Sequence, residues 1–216
     1  MLAFVAGIVN ATGFLGVQHQ GITHLTGTTT LLGIALGNHD FRIAMQFAVL
    51  ILAFVAGCAL SGMIIKDSTL RLGRRYGVVL VLESALLVLA VPFLGLDNFL
   101  GDCLASAACG LQNAMVSTYS GAVLRTTHYS GTLTDLGIFL GHKLRGLPVD
   151  SRRVRLLLAL VTAFLVGAVA GTWLFSAFAY HALYVPAALT GTAGVAYATY
   201  RHFQMRRPQA GQGDAR

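Results

Sequence analysis

Charge is what this chain has least of. Only 11% of its 216 residues are charged, against 56% hydrophobic ones, and the mean hydropathy is +0.71. That balance lies outside the range of soluble domains. Cysteine is scarce too: Cys58, Cys103 and Cys109 fall inside apolar stretches, in odd number and without metal-ligand spacing. They read as small buried hydrophobes, which excludes a disulfide framework or a metal site. No basic segment precedes the opening MLAFVAGIVNATGFLGV, and no clear small-residue cleavage site precedes Gln18-His19-Gln20, so a cleavable signal is not expected. The first span is short and unanchored, and a true start upstream of Met1 is expected. Room is also lacking. At about 20 apolar residues per membrane helix, six spans use roughly 120 residues and leave only short loops, with no second, soluble domain.

What is present is a series of apolar runs, near 1–18, 43–65, 76–94, 103–122, 156–178 and 182–200. Two shorter stretches, Leu31–Gly37 and Gly131–Gly141, each follow a Ser/Thr/Gly run and are too short to cross a bilayer. The net charge of +7 comes from basic residues beside these segments, so it reflects the positive-inside rule rather than nucleic-acid binding. Lys66, Arg71, Arg74 and Arg75 form one cluster, Lys143, Arg145, Arg152, Arg153 and Arg155 a second, and Arg201, Arg206, Arg207 and Arg216 a third. If all three share the cytoplasmic side, residues 103–141 cross only once in net. The 131–141 stretch is then re-entrant, because a seventh span would place five basic residues outside. Both termini fall inside.

The chain also repeats itself. Residues 23–37, THLTGTTTLLGIALG, and 127–141, THYSGTLTDLGIFLG, are identical at ten of fifteen positions without a gap. Upstream, Ala6–Ala11 aligns with Cys109–Ala114, and downstream Ala53–Gly57 aligns with Ala163–Gly167. Each half holds an odd number of crossings, so the second enters from the opposite side. The expected fold is therefore an all-α integral membrane protein of six transmembrane helices. They form two inverted-topology repeats of three, 1–94 and 101–200, each with a broken or re-entrant Ser/Thr/Gly segment. Together they make one transmembrane domain over 1–200, followed by a basic cytoplasmic tail, 201–216, expected to be disordered. In secondary transporters of this architecture, discontinuous helices of the two halves meet near the midplane and expose unwound backbone to a solute.

Non-helical backbone at membrane depth is tolerated only in a buried or water-lined place. Thr23, His24, Thr26, Gly27, Thr28 and Thr30, with Thr127, His128, Ser130, Gly131, Thr132 and Thr134, are thus the candidate substrate-binding residues. Each run opens an apolar helix whose N-terminal amides suit an anionic or strongly polar group. The plainer alternative is that small residues let helices pack closely. Asn10, Gln112 and Asn113 are amides in the preceding spans, placed to brace these runs or to touch solute. Glu83 and Asp135 are acids within apolar stretches and are candidates for a proton or ion pathway. The alternative for Asp135 is pairing with His128 or Arg125; for Glu83 it is a buried structural hydrogen bond. His19, His39, His142, His181 and His202 read as loop or interfacial residues, and Trp173 with Tyr180, Tyr184, Tyr197 and Tyr200 as interface anchors.

GIVNATGFL followed by THLTGTTTLLG, GLQNA and TTHYSGTLTDLG resembles the YoaK-like family of uncharacterised bacterial inner-membrane proteins, over nearly the whole chain to about Arg201. The resemblance implies fold and location rather than activity. Relatives commonly carry Asp where this chain has Asn10, and Asn where it has Thr28. If that Asp carries protons in relatives, this chain has lost it.

The leading expectation is a small-solute transporter or channel with a site between the two broken helices. A membrane-embedded enzyme would use His24 and His128 with Asp135 or Glu83 for acid–base work, though no nucleophile elbow, metal-type His pair or phosphate loop is present. A structural or assembly factor is the third class. A polar midplane cavity bordered by both runs favours transport, and a filled centre favours the structural reading. The expected partners are the lipid bilayer and a small polar or anionic solute. A homo-oligomer is compatible with the composition, and no nucleic acid, cofactor or metal is called for.

Overall fold

The computed structural model describes residues 1–16, 24–65, 75–119 and 126–206. They form eight α-helices: α1 (Leu2–Leu15), α2 (Leu25–Gly37), α3 (Phe41–Ile64), α4 (Arg75–Gly95), α5 (Phe99–Tyr119), α6 (Tyr129–Leu144), α7 (Ser151–Phe178) and α8 (Tyr184–Arg206). A short 3₁₀ turn, Ala179–Leu183, joins the last two. No strand occurs among the described residues. Among the described residues three segments are long and apolar enough to cross a membrane: Phe41–Ile64, Arg75–Gly95, and Ser151–Tyr200, which takes in α7 and most of α8. Their outer faces carry bare Leu52, Val55, Leu165, Val166 and Trp173. Apolar patches of that extent suit lipid, not water.

Helix ends follow local chemistry. Asp40 caps α3 by accepting from the Ile43 amide at 3.1 Å, and Asp150 caps α7 by accepting from the Arg152 and Arg153 amides. That cap starts α7 before the apolar run expected at 156. α2, α4 and α6 close alike, with a residue of positive φ (His39, Asp97, Gly146) and an amide reaching back five residues: Asp40 to Ala35, Asn98 to Phe93, Leu147 to His142. These turns fold α2 back on α3, α4 on α5, and α6 on α7.

Packing fixes the directions of the longer helices. Leu2 of α1, Ile65 after α3, Tyr76 of α4, Met115 and Tyr119 of α5, and Tyr197 of α8 gather at one end. Leu94, Ala105, Leu183 and Ala187 gather at the other. So α1 and α4 run away from the first end, and α3, α5 and α8 run toward it. α7 runs with α1, since Phe4 lies against Gly167 and Ile8 against Gly171.

Glycine sets the closest crossings. A Cβ on Gly7 would strike the Phe164 carbonyl, and one on Gly110 the Phe54 carbonyl. Likewise Gly167 lies on the Phe4 carbonyl and Gly57 on the Ala107 carbonyl. Under the sequence alignment of the two halves, Gly7 matches Gly110, Phe164 matches Phe54, Gly167 matches Gly57 and Phe4 matches Ala107. These two contacts of α1 with α7 therefore map onto two of α5 with α3. Between α4 and α8, Gly77 and Gly194 stand against each other's carbonyls, and their Cβ atoms would lie 2.7 and 2.8 Å away. Small residues admit such approach where side chains would hold backbones apart.

Three expectations need correction. The Ser/Thr/Gly runs are helical, not unwound. Thr28, Thr29 and Thr30 donate to the carbonyls of His24, Leu25 and Thr26, and Thr132 and Thr134 to those of His128 and Ser130. Such back-bonding satisfies the hydroxyls inside the helix, so helix breaks there are unnecessary. The short helices begin at Leu25 and Tyr129, with His24 and His128 as their N-cap residues, rather than at 31 and 131. Finally, α8 runs on to Arg206, six residues past the expected end of the last span.

Candidate functional site

At 1.5 Å per residue, the thirteen residues of α2 span about 20 Å, roughly half the length of α3 beside it. Ala35 packs on Ala44 and Phe47 near the start of α3, which leaves His24 and Thr26 level with its later residues, Phe54 and Cys58. α6 runs back along α7 in the same way. Its first residue, Tyr129, meets the Phe164 ring at 5.4 Å near the middle of α7. The N-termini of the two short helices therefore open on one cavity of about 850 Å³.

From α2 the cavity is lined by His24, Leu25 and Thr26, and from α3 by Phe54 and Cys58. α5 supplies Asn113, Ala114 and Ser117, and the segment entering α6 supplies Thr127, His128, Tyr129, Ser130 and Leu133. His24 and His128 are the N-cap residues of their helices, and neither side chain caps its own helix. Each ring lies over the glycine three residues later, where a Cβ on Gly27 would meet His24 Nδ1 and one on Gly131 would meet His128 Nε2. Glycine at those two positions is what lets the imidazoles sit beside the first helical turn.

Behind the cavity wall lies a buried polar chain. Thr127 donates to Asn113 Oδ1 at 3.0 Å, and Asn113 Nδ2 donates to the Cys109 carbonyl at 3.0 Å. The Thr126 hydroxyl oxygen stands 3.1 Å from Asn113 Oδ1 and 3.0 Å from Gln112 Oε1. Gln112 Nε2 donates to Glu83 Oε1 at 2.7 Å. Glu83 is 2% exposed, and its other oxygen, Oε2, is buried with no hydrogen-bond partner.

The expected site residues thus separate. His24, Thr26, Asn113, Thr127, His128 and Ser130 come together at the cavity; Gln112 and Glu83 stand behind it; Thr28 is buried on α2. Thr30, Thr132 and Thr134 are occupied along their helices, and Asn10 is partly buried on α1. Thr23 lies outside the described residues. Asp135 does not begin its helix: it sits in the second turn of α6, and its described ion pair is with Arg153 of α7 at 3.2 Å, rather than with His128. Arg125 lies outside the described residues. Arg153 also stands 5.4 Å from the Phe139 ring centre, which joins α6 to α7.

Sequence reasoning missed Thr126, Phe54, Cys58 and Ser117. For Thr126 a signal existed, since the aligned residue of the first half is Ile22. The others join through packing between α3 and α5, where Ser106 donates to the Leu50 carbonyl and Cys58 to the Gly110 carbonyl.

Chemically, the cavity offers hydroxyls, an amide, imidazoles and two helix N-termini, each with about half a positive charge. No Lys, Arg, Asp or Glu is among its lining residues. Among the described residues no group of three His, Cys, Asp or Glu side chains is placed to hold a metal. The acids an acid–base enzyme would pair with His24 and His128 are directed elsewhere, Asp135 to Arg153 and Glu83 to Gln112.

Residues 1–196 match the model of the family described as Protein of unknown function (DUF1275), and the chain belongs to that family. No curated protein and no solved structure matches it.

Proposed function

We propose that the chain is a transporter or channel for a small anionic or strongly polar solute, which binds between the N-termini of α2 and α6. The observation that carries this reading is the cavity itself. Residues that open both half-length helices border it, and among the described residues no charged side chain lines it. An anion there would be held by helix dipoles and hydroxyls, the device used by transporters built from discontinuous helices.

The proposal includes six spans, α1, α3, α4, α5, α7 and α8, as two inverted halves in a bacterial inner membrane, as in YoaK-like proteins. The helix directions support it: α1, α3 and α4 run away, toward and away from one end, while α5, α7 and α8 run toward, away and toward it. Those directions also bring Arg75, Arg152, Arg153 and Arg155 to the end where the chain starts, which supports cytoplasmic termini. α2 packs only on α3 and α6 only on α7 among the described residues, so the two site-bearing helices are the least anchored parts of the bundle.

The test is uptake into reconstituted vesicles, screened with chloride, phosphate, sulfate and small carboxylates. Thr26→Val and Ser130→Val should lower uptake about tenfold or more at unchanged folded yield. Thr30→Val and Thr134→Val, whose hydroxyls serve their own helices, should retain it. Loss of folded protein in the first pair, with no separate effect on uptake, would return both residues to a packing role.

A further inference from the structure

The two halves share a scaffold, but the polar residues that join Asn113 of the second half to Glu83 of α4 in the first, Gln112 and Thr126, have no polar counterparts in the sequence of the first half. Asn113 and Thr127 have counterparts in Asn10 and Thr23. Gln112 and Thr126 do not: Val9 and Ile22 stand at those positions. The sequence of the first half keeps only the amide and the threonine, and the arm Glu83–Gln112–Thr126 is not part of the repeated pattern.

From this arm we infer that Glu83 is a proton-binding site whose occupancy is read at the cavity through Gln112, Thr126 and Asn113. The inference deepens the transport reading, which it takes as its premise, by naming a proton as the coupled ion. Hydrogen-bond counting gives the mechanism. The Thr126 hydroxyl has one proton and two acceptors in reach, Gln112 Oε1 and Asn113 Oδ1. With Glu83 ionised, Gln112 points its NH₂ at the carboxylate and its oxygen at Thr126, which spends the Thr126 proton on Gln112. Asn113 Oδ1 is then served by Thr127.

A proton taken from water adds to Glu83 at Oε2, the oxygen without a partner. A half turn of the carboxyl then presents O–H to Gln112, whose amide turns over and donates to Thr126. The Thr126 hydroxyl then donates to Asn113 Oδ1 beside Thr127, and the two donors share one oxygen, so the Thr127 bond weakens and that hydroxyl, on the cavity wall, turns more readily to a solute. One such bond raises solute affinity about threefold to tenfold when Glu83 is protonated.

The groups around Glu83 leave this titration to it. Across from it, α5 offers the Cys109 thiol beside Gln112. α8 packs on α4 with Gly191 against Ser84 and Gly194 against Gly77 and Leu80, and it carries no ionisable side chain between Tyr184 and Tyr197; α1 contains none, and α3 holds only Arg42 near its far end and Cys58 at the cavity.

Glu83 is the sole glutamate of the chain, so carboxyl-labelled glutamate introduced by cell-free synthesis marks this one group. The experiment is infrared difference spectroscopy of the full chain in lipid vesicles across pH, without solute. The labelled carboxyl band should titrate, and a glutamine amide band should change in the same titration. Gln112→Leu should lose that amide change, and Thr126→Val should keep the carboxyl titration while losing or shifting the amide change. A labelled band that does not titrate overturns the inference. So does a titration with no accompanying amide change, or a Thr126→Val spectrum identical to wild type. Because no solute is present, failure of the uptake assay leaves this readout intact, and the two ideas fail separately.

Discussion

Replacing Gly110 with alanine tests whether the α3–α5 crossing builds the cavity wall. The new Cβ would lie 2.9 Å from the Phe54 carbonyl carbon and 3.1 Å from its Cα, with the carbonyl oxygen nearer still. These are backbone atoms that no rotamer change can move. The helices must part by more than the ~0.5 Å that would restore ordinary contact with the carbonyl carbon alone. Forcing one carbon into a filled contact costs about 1–3 kcal/mol, and the alanine returns roughly 0.5–1 kcal/mol in helix propensity. The net loss, up to about 2.5 kcal/mol, lowers the thermal midpoint of a chain this long by up to roughly 10 °C. Gly137→Ala in α6 is the control, since nothing lies within 4 Å of its Cβ and only the propensity gain remains. Thermal unfolding of the detergent-solubilised protein reads both. Parting α3 from α5 also breaks the 3.2 Å hydrogen bond from Cys58 to the Gly110 carbonyl, at the cavity. If Gly110→Ala raises the midpoint as Gly137→Ala does, the packing argument is wrong.

The proposed topology predicts that reporters fused at Asp67 and Asp150 read cytoplasmic and one at Asp97 reads outside; an outside signal at Asp150 would undo the re-entrant α6 and the inverted repeat with it. The Asp135–Arg153 pair is nearly half exposed on both sides, so Asp135→Asn should change stability by less than ~1 kcal/mol in a detergent unfolding assay. A larger loss would mean that the pair clamps α6 to α7 in a drier setting than the exposed surface provides.

Long helices were legible in the sequence because apolar runs mark them, whereas their starts were not, since the caps Asp40 and Asp150 lie outside the apolar runs expected at 43 and 156. The sequence repeat was read from THLTGTTTLLGIALG and THYSGTLTDLGIFLG, and the contacts Gly7–Phe164 and Gly110–Phe54 fall at positions its alignment pairs. Hydroxyl behaviour was not legible. Thr26 and Thr30 look like loop residues in a string, yet a threonine four residues into a helix has a carbonyl within reach and needs no break. The partner of Asp135 was also hidden, because Arg153 arrives by the α6–α7 turn and not by helical spacing. Phe54, Cys58 and Ser117 carry no local mark of a site, and only the crossing of α3 and α5 brings them to the cavity.

Symmetry in the scaffold and asymmetry at the site have a joint consequence. The long-helix wall of the cavity comes from α3 and α5, through Phe54, Cys58, Asn113, Ala114 and Ser117. Their counterparts on α7 and α1, Phe164, Ala168, Asn10, Ala11 and Phe14, are not on that wall. If the halves are inverted, as proposed, the α3–α5 and α1–α7 surfaces face opposite sides of the membrane. The structure is then one of two related arrangements, and exchanging the roles of the halves would line the cavity from α1 and α7 instead. Only the arrangement built on α5 can feel Glu83, because Gln112 and Thr126 have the apolar counterparts Val9 and Ile22 in the first half. Proton binding on the proposed arm would therefore bias one side's access over the other, which a symmetric pair of halves could not do.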